Sequence, residues 1–188
     1  MTRVLLFHHA LGVTPGVRAF ADHLRAAGHE VTVPDLFDGA TFDSVAAGVA
    51  HAEGIGFETI AERGTAHADE LEPPFVVAGF SLGALPAQKI AQSRRGVTGA
   101  VLYHAAVPIS AFGDEWPDGV ALQIHITEDD PWAAEDLDTA RDLAARAGGE
   151  LHLYPGTGHL VADSGSPDHD PAQARLILER TLAFLADR

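Results

Sequence analysis

The chain has 188 residues, with 12 lysines and arginines against 27 aspartates and glutamates, a formal charge of −15 at pH 7. A surface of that sign repels a phosphate backbone, which excludes nucleic acid and anionic membranes as partners. The absence of cysteine excludes disulfides, zinc–thiolate sites, iron–sulfur clusters and a thiol nucleophile. The length suits one domain over residues 1–188. No run approaches the roughly 18 apolar residues of a spanning helix, and the opening MTRVLLFHHALG breaks too early for a signal peptide, so a cytoplasmic protein is expected.

Val4 to His8 is a short apolar run of β character, followed by a loop through Gly12 and Gly16. From Val17 to Ala27 the apolar residues Val17, Phe20, Ala21 and Leu24 recur at helical spacing, opposite Arg18, Asp22 and Arg25. Gly28 stops that helix and HEVTVP begins a second strand, which Pro34 ends. Strand–helix–strand in so few residues is the unit of a parallel sheet. The stretch around Gly39, Gly48, Gly54 and Gly56 holds one weak helix in DSVAAGVAHAEG, and a further helix runs from Glu58 to Leu71 before Pro73 and Pro74. Next come a strand at Phe75–Phe80, a helix over Leu82–Ser93 with Pro86 near its start, and a strand over 99–105. A loop with Trp116 and Pro117 leads to a strand at 120–127. A helix over Ala133–Ala147, a strand at 150–154 and a terminal helix over Ala172–Ala186 follow; Ile177, Leu178, Thr181, Leu182 and Leu185 form the apolar stripe of the last. Near-continuous apolar strands alternating with helices predict an α/β architecture, a six-stranded parallel sheet with helices on both faces.

In such a sheet ligands bind beyond the carboxyl ends of the strands. The strongest motif stands at one of them. Gly79-Phe80-Ser81-Leu82-Gly83 is a G-x-S-x-G pentapeptide between a strand and a helix, the pattern of a nucleophile elbow. A serine hydroxyl is a weak nucleophile until a base takes its proton, and the base needs a carboxylate to hold its tautomer. In this arrangement the acid and then the histidine follow the serine along the chain. The loop after the fifth strand offers Asp130, with Asp129 in reserve, and the glycine-rich turn after the sixth offers His159. Ser81, Asp130 and His159 are therefore the expected catalytic set. The backbone N–H groups of Leu82 and Leu11 are the expected donors to an oxyanion.

Weaker expectations attach to other polar positions. His9, His104 and Phe80 are candidates to line the pocket, although His9 could equally orient its loop and His104 could be a packed core residue. Asp35 is expected to brace a turn, and His125 and His152 to be strand residues without a chemical task. His8 and His9, adjacent on a strand, point to opposite faces and cannot jointly bind a metal without a bend. No metal or cofactor is expected. Serine at the elbow excludes an aspartate nucleophile, and there is neither a G-x-x-x-x-G-K-[ST] nor a G-x-G-x-x-G nucleotide motif. The partner is then a small-molecule ester or lactone. The competing readings are a noncatalytic binding domain on the same fold, and acyl transfer on a thioester or peptide. The acidic segment 162–171 is expected to border the entrance.

The chain resembles the dienelactone hydrolase family, a compact branch of the α/β-hydrolase fold. The likeness rests on HHALGVTPGVRAFADHLRAAGHEVTVPDLFDG, VVAGFSLGA, HITEDDPW and YPGTGHLVAD, and extends over nearly the whole length. It implies a strand order of 2-1-3-4-5-6, no large lid, and hydrolysis of lactones or other esters by a monomer or homodimer. It also favours Asp130 over Asp129, because the family's acid precedes a pair such as Pro131-Trp132. In the lactonases that name the family the elbow carries cysteine and the first loop a glutamate. Here Ser81 and His9 stand at those places, which implies a serine-nucleophile variant acting on a small carboxylic ester or lactone.

Overall fold

The computed structural model describes residues 1–188. Its strands are β1 (Arg3–Phe7), β2 (Glu30–Thr32), β3 (Phe75–Phe80), β4 (Val97–Tyr103), β5 (Ala121–Thr127) and β6 (Glu150–Tyr154). They form one sheet in the order β2-β1-β3-β4-β5-β6 with every neighbour parallel, as the sequence implies. The helices are α1 (Pro15–Ala26), α2 (Val45–Ile55), α3 (Phe57–Asp69), α4 (Ala84–Ser93), α5 (Asp136–Ala147) and α6 (Pro171–Ala186).

Strand side chains alternate between the two faces, and this period divides the core. Leu5, Phe7, Val77, Ala100, Leu102, Ile124 and Ile126 pack with Ile60 of α3, Ile90 of α4 and Leu143 of α5. Val4, Leu6, Val76, Ala78, Phe80, Val101 and Tyr103 pack with Val17, Phe20 and Leu24 of α1 and Ile177, Phe184 and Leu185 of α6. Full burial of one such large side chain contributes about 1.5–3 kcal/mol. No helix is long and apolar enough to cross a membrane.

Several boundaries differ from the periodicity reading, each for a local reason. α1 begins at Pro15, ahead of the apolar stripe, because Thr14 caps it by accepting the Val17 N–H at 3.1 Å and proline is favoured at the first position. The helix expected from Leu82 opens instead as a 3-10 turn over Ser81–Gly83, before α4 proper. α5 starts at Asp136 rather than Ala133, since the segment before it winds through turns anchored on Asp130. In α6, Phe184 is fully packed while Leu178 and Leu182 are only half-buried. Between β4 and β5 the chain makes only a 3-10 turn at Ile109–Ala111, and no separate lid stands over the strand ends.

Candidate active site

β3 delivers Ser81 into a left-handed backbone conformation, φ 48°, which a non-glycine residue adopts only when its surroundings enforce it. The flanking glycines make that turn possible. A Cβ on Gly79 would lie 2.0 Å from the Gly83 carbonyl oxygen, and one on Gly83 would lie 2.6 Å from that of His8. Strand, turn and the end of β1 therefore touch backbone to backbone.

The Ser81 hydroxyl donates to His159 Nε2 at 2.7 Å, and His159 Nδ1 donates to Asp130 Oδ2 at 2.6 Å. An ionised carboxylate only accepts, so the proton rests on Nδ1 and Nε2 is left as the acceptor for the hydroxyl. Asp130 is buried and its second oxygen accepts the Trp132 N–H at 2.9 Å, which fixes the carboxylate plane. Asp129 is exposed and has no contact with the imidazole. Of the two acids the sequence offered, the structure brings Asp130 to His159. The His159 loop is held from outside by Asp168, whose Oδ2 accepts the His159 N–H at 3.1 Å.

In the loop after β1 one of the expected donors has a partner within the chain. Leu11 N–H, an expected oxyanion donor, instead donates to His9 Nδ1 at 3.2 Å. A donor engaged by an imidazole acceptor is not presented to a substrate. Ala10 N–H, one residue earlier, has no acceptor within the chain. Leu82 lies in the first turn of a helix, where backbone N–H groups lack intrahelical partners.

His9, His104 and Phe80, the candidates to line the pocket, are all buried. Phe80 stacks on Tyr103 with ring centroids 4.4 Å apart. His104 sits in a left-handed conformation at φ 63°, with its ring 6.0 Å from that of His159. Burial, and then the nearby His159 and His9, hold His104 well below the ordinary imidazole range, so it is neutral. His9 donates through Nε2 to Asp163 Oδ2 at 2.6 Å.

The acids of segment 162–171 are bonded within the chain, with Asp168 exposed beside the His159 loop. Asp163 accepts from His9, Thr14 and Gly165, Asp168 from His159, and Asp170 caps α6 through Ala172 and Gln173. Asp35 braces its turn as expected, accepting from Phe37 and Gly39. His125 lies within β5, bonded to Tyr154 and Gln123, and His152 within β6, bonded to Glu150. The feature the sequence reading passed over is Trp132, half exposed, with its ring 6.2 Å from that of His159.

The model of the dienelactone hydrolase family matches residues 1–188. The chain belongs to the dienelactone hydrolase family. A carboxymethylenebutenolidase of Rhodococcus opacus is 30% identical over 203 residues, covering 96% of this chain and 79% of that protein. Among solved structures, a dienelactone hydrolase-like promiscuous phosphotriesterase from metagenomic libraries superposes with a TM-score of 0.75 at 16% identity, covering all of this chain and 86% of that one. A cold-adapted esterase from an Arctic intertidal metagenomic library gives a TM-score of 0.68 at 18% identity, with all of this chain and 82% of that one covered. At such identities these two share the fold. Membership of the dienelactone hydrolase family makes the protein a carboxylic ester hydrolase.

Proposed function

We propose that this family member is a serine hydrolase that cleaves a small carboxylic ester or lactone through an acyl-enzyme on Ser81. The observation that carries the reading is the unbroken hydrogen-bonded chain from Ser81 through His159 to the buried Asp130.

In the first half-reaction Ser81 Oγ attacks the ester carbonyl carbon while its proton passes to His159 Nε2, and the resulting imidazolium is stabilised by Asp130. The carbonyl electrons move onto oxygen. Leu82 N–H and Ala10 N–H are the donors available for that oxyanion, since the elbow abuts the end of β1. As the intermediate collapses, His159 returns the proton to the departing alkoxide, leaving Ser81 acylated. For a lactone the alkoxide stays tethered to the acyl group. In the second half-reaction His159 takes a proton from water, whose oxygen attacks the acyl carbon, and the proton then returns to Ser81. The exposed ring of Trp132 beside His159 supplies an apolar wall for the substrate.

The test compares hydrolysis of p-nitrophenyl acetate, p-nitrophenyl butyrate and a dienelactone by the wild type and Ser81→Ala, together with fluorophosphonate labelling. Loss of about 10⁴-fold or more in kcat on substitution, with label on Ser81 in the wild type, is expected. A wild type that neither turns over nor takes the label would overturn the activated serine and favour a binding protein on this fold.

A further inference from the structure

Away from the reacting groups the protein holds a second imidazole–carboxylate contact of the same length as the first. His9 Nε2 and Asp163 Oδ2 are 2.6 Å apart, as are His159 Nδ1 and Asp130 Oδ2. Both members are buried, His9 fully and Asp163 to 4% exposure. Asp163 accepts three hydrogen bonds in all. Thr14 Oγ1 donates to its Oδ2 at 2.7 Å and Gly165 N–H to its Oδ1 at 2.6 Å. It also lies against the first turn of α1, where a Cβ on Gly16 would be 1.5 Å from Oδ1. Burial pushes the Asp163 carboxyl up, but hydrogen bonds from His9 and Thr14 outweigh it and hold the group below the ordinary carboxylate range.

An ionised Asp163 accepts only, so it keeps the His9 proton on Nε2. Nδ1 is then an acceptor, and what it accepts is the Leu11 N–H. Other contacts complete the loop. Gly12 N–H donates to the His9 carbonyl at 3.0 Å, Phe42 N–H to that of Leu11 at 3.1 Å, and Gly48 of α2 packs against the carbonyl of Ala10. In the other neutral tautomer, a proton on Nδ1 would face the Leu11 N–H donor to donor, and the loop would have to open.

We propose that His9 and Asp163 form a positioning pair for the reaction at Ser81: Asp163 fixes the His9 tautomer, His9 Nδ1 captures Leu11 N–H, and the loop after β1 is thereby set with Ala10 N–H turned to the oxyanion. This rests on the serine-hydrolase reading and deepens it. The pair does not touch substrate and transfers no proton. Its effect is on the chemical step, because a donor displaced by about 1 Å costs on the order of 10²-fold in rate.

Two substitutions at His9 separate positioning from mere bracing. His9→Asn keeps an acceptor where Nδ1 stood but falls short of Asp163. His9→Gln reaches Asp163 with an N–H but offers Leu11 no acceptor. Positioning predicts that kcat for p-nitrophenyl acetate falls about 10²-fold in His9→Gln, with KM within about threefold, and that His9→Asn recovers most of it. A bracing role predicts the reverse order, with kcat following thermal stability. Independently of activity or of how the variants fold, long-range ¹H–¹⁵N NMR on the wild type reads the His9 tautomer. The Nε2–H form is expected, and a proton on Nδ1 overturns the proposal alone. So does wild-type kcat in His9→Gln. A wild type that takes no fluorophosphonate and hydrolyses nothing overturns the serine-hydrolase reading and this proposal with it, whatever the NMR shows.

Discussion

Two pairs of buried imidazole and carboxylate, each 2.6 Å apart, differ in what the second ring nitrogen meets. In Asp130–His159 the carboxylate holds one ring nitrogen and the other meets a serine hydroxyl, so the ring is open to proton traffic. In Asp163–His9 the second nitrogen meets a backbone N–H that cannot give up its proton, so the ring is chemically closed. The distance between acid and base is therefore no mark of catalysis. What distinguishes the pairs is the group at the far nitrogen, one labile and one not.

The comparison is broken most sharply at the open pair. Asp130→Asn keeps the shape but favours the wrong His159 tautomer, and kcat for ester hydrolysis is expected to fall about 10⁴-fold with the fold intact by circular dichroism. Next in size is an effect of acid on His8, whose ring bonds the backbone of the closed pair. His8 donates through Nδ1 to the His9 carbonyl and accepts the Leu36 N–H on Nε2, and burial lowers it from 6.5 to about 4. Its folded pKa lies below the unfolded one, so the folded state binds fewer protons between those values. The stability this contributes is complete above about pH 6.5 and is lost progressively as the pH falls through 4, to a total of about 3 kcal/mol. Urea unfolding from pH 7 to 4 should show that slope in the wild type and a shallower one in His8→Gln.

Gly16→Ala acts first on the closed pair, at Asp163 and the Ser164 backbone beside it. Its new Cβ would have to displace the Asp163 carboxylate, so a loss of about 1–3 kcal/mol in urea unfolding is expected, with kcat reduced and Ser81 still labelled. The smallest effect is at the rim of the open pair, where Trp132→Ala should raise KM for p-nitrophenyl butyrate by several fold while kcat changes less.

Much of this was legible in the sequence because it is local or ordered along the chain. The sheet follows from apolar runs and their spacing, and its order from the family likeness. Ser81 follows from the pentapeptide that only glycine neighbours permit, and Asp130 and His159 from their rank after it. The closed pair was not legible. His9 and Asp163 are 154 residues apart in the chain, and the acids of 162–171 carry no pattern that distinguishes an inward brace from a charged rim. The contact of Leu11 was hidden for the same reason, since its N–H is met by a side chain bonded to that remote carboxylate. Gly16, placed where any side chain would strike Asp163, is the one sequence trace of the contact, and it reads as an ordinary loop glycine until the fold is known.

The connection from β6 to α6 carries both attachments. It gives His159 to the open pair and, four residues on, Asp163 to the closed one. A swing of this segment that drew His159 from Ser81 would also pull Asp163 from His9. The two contacts are thus tied to one stretch of backbone and move together.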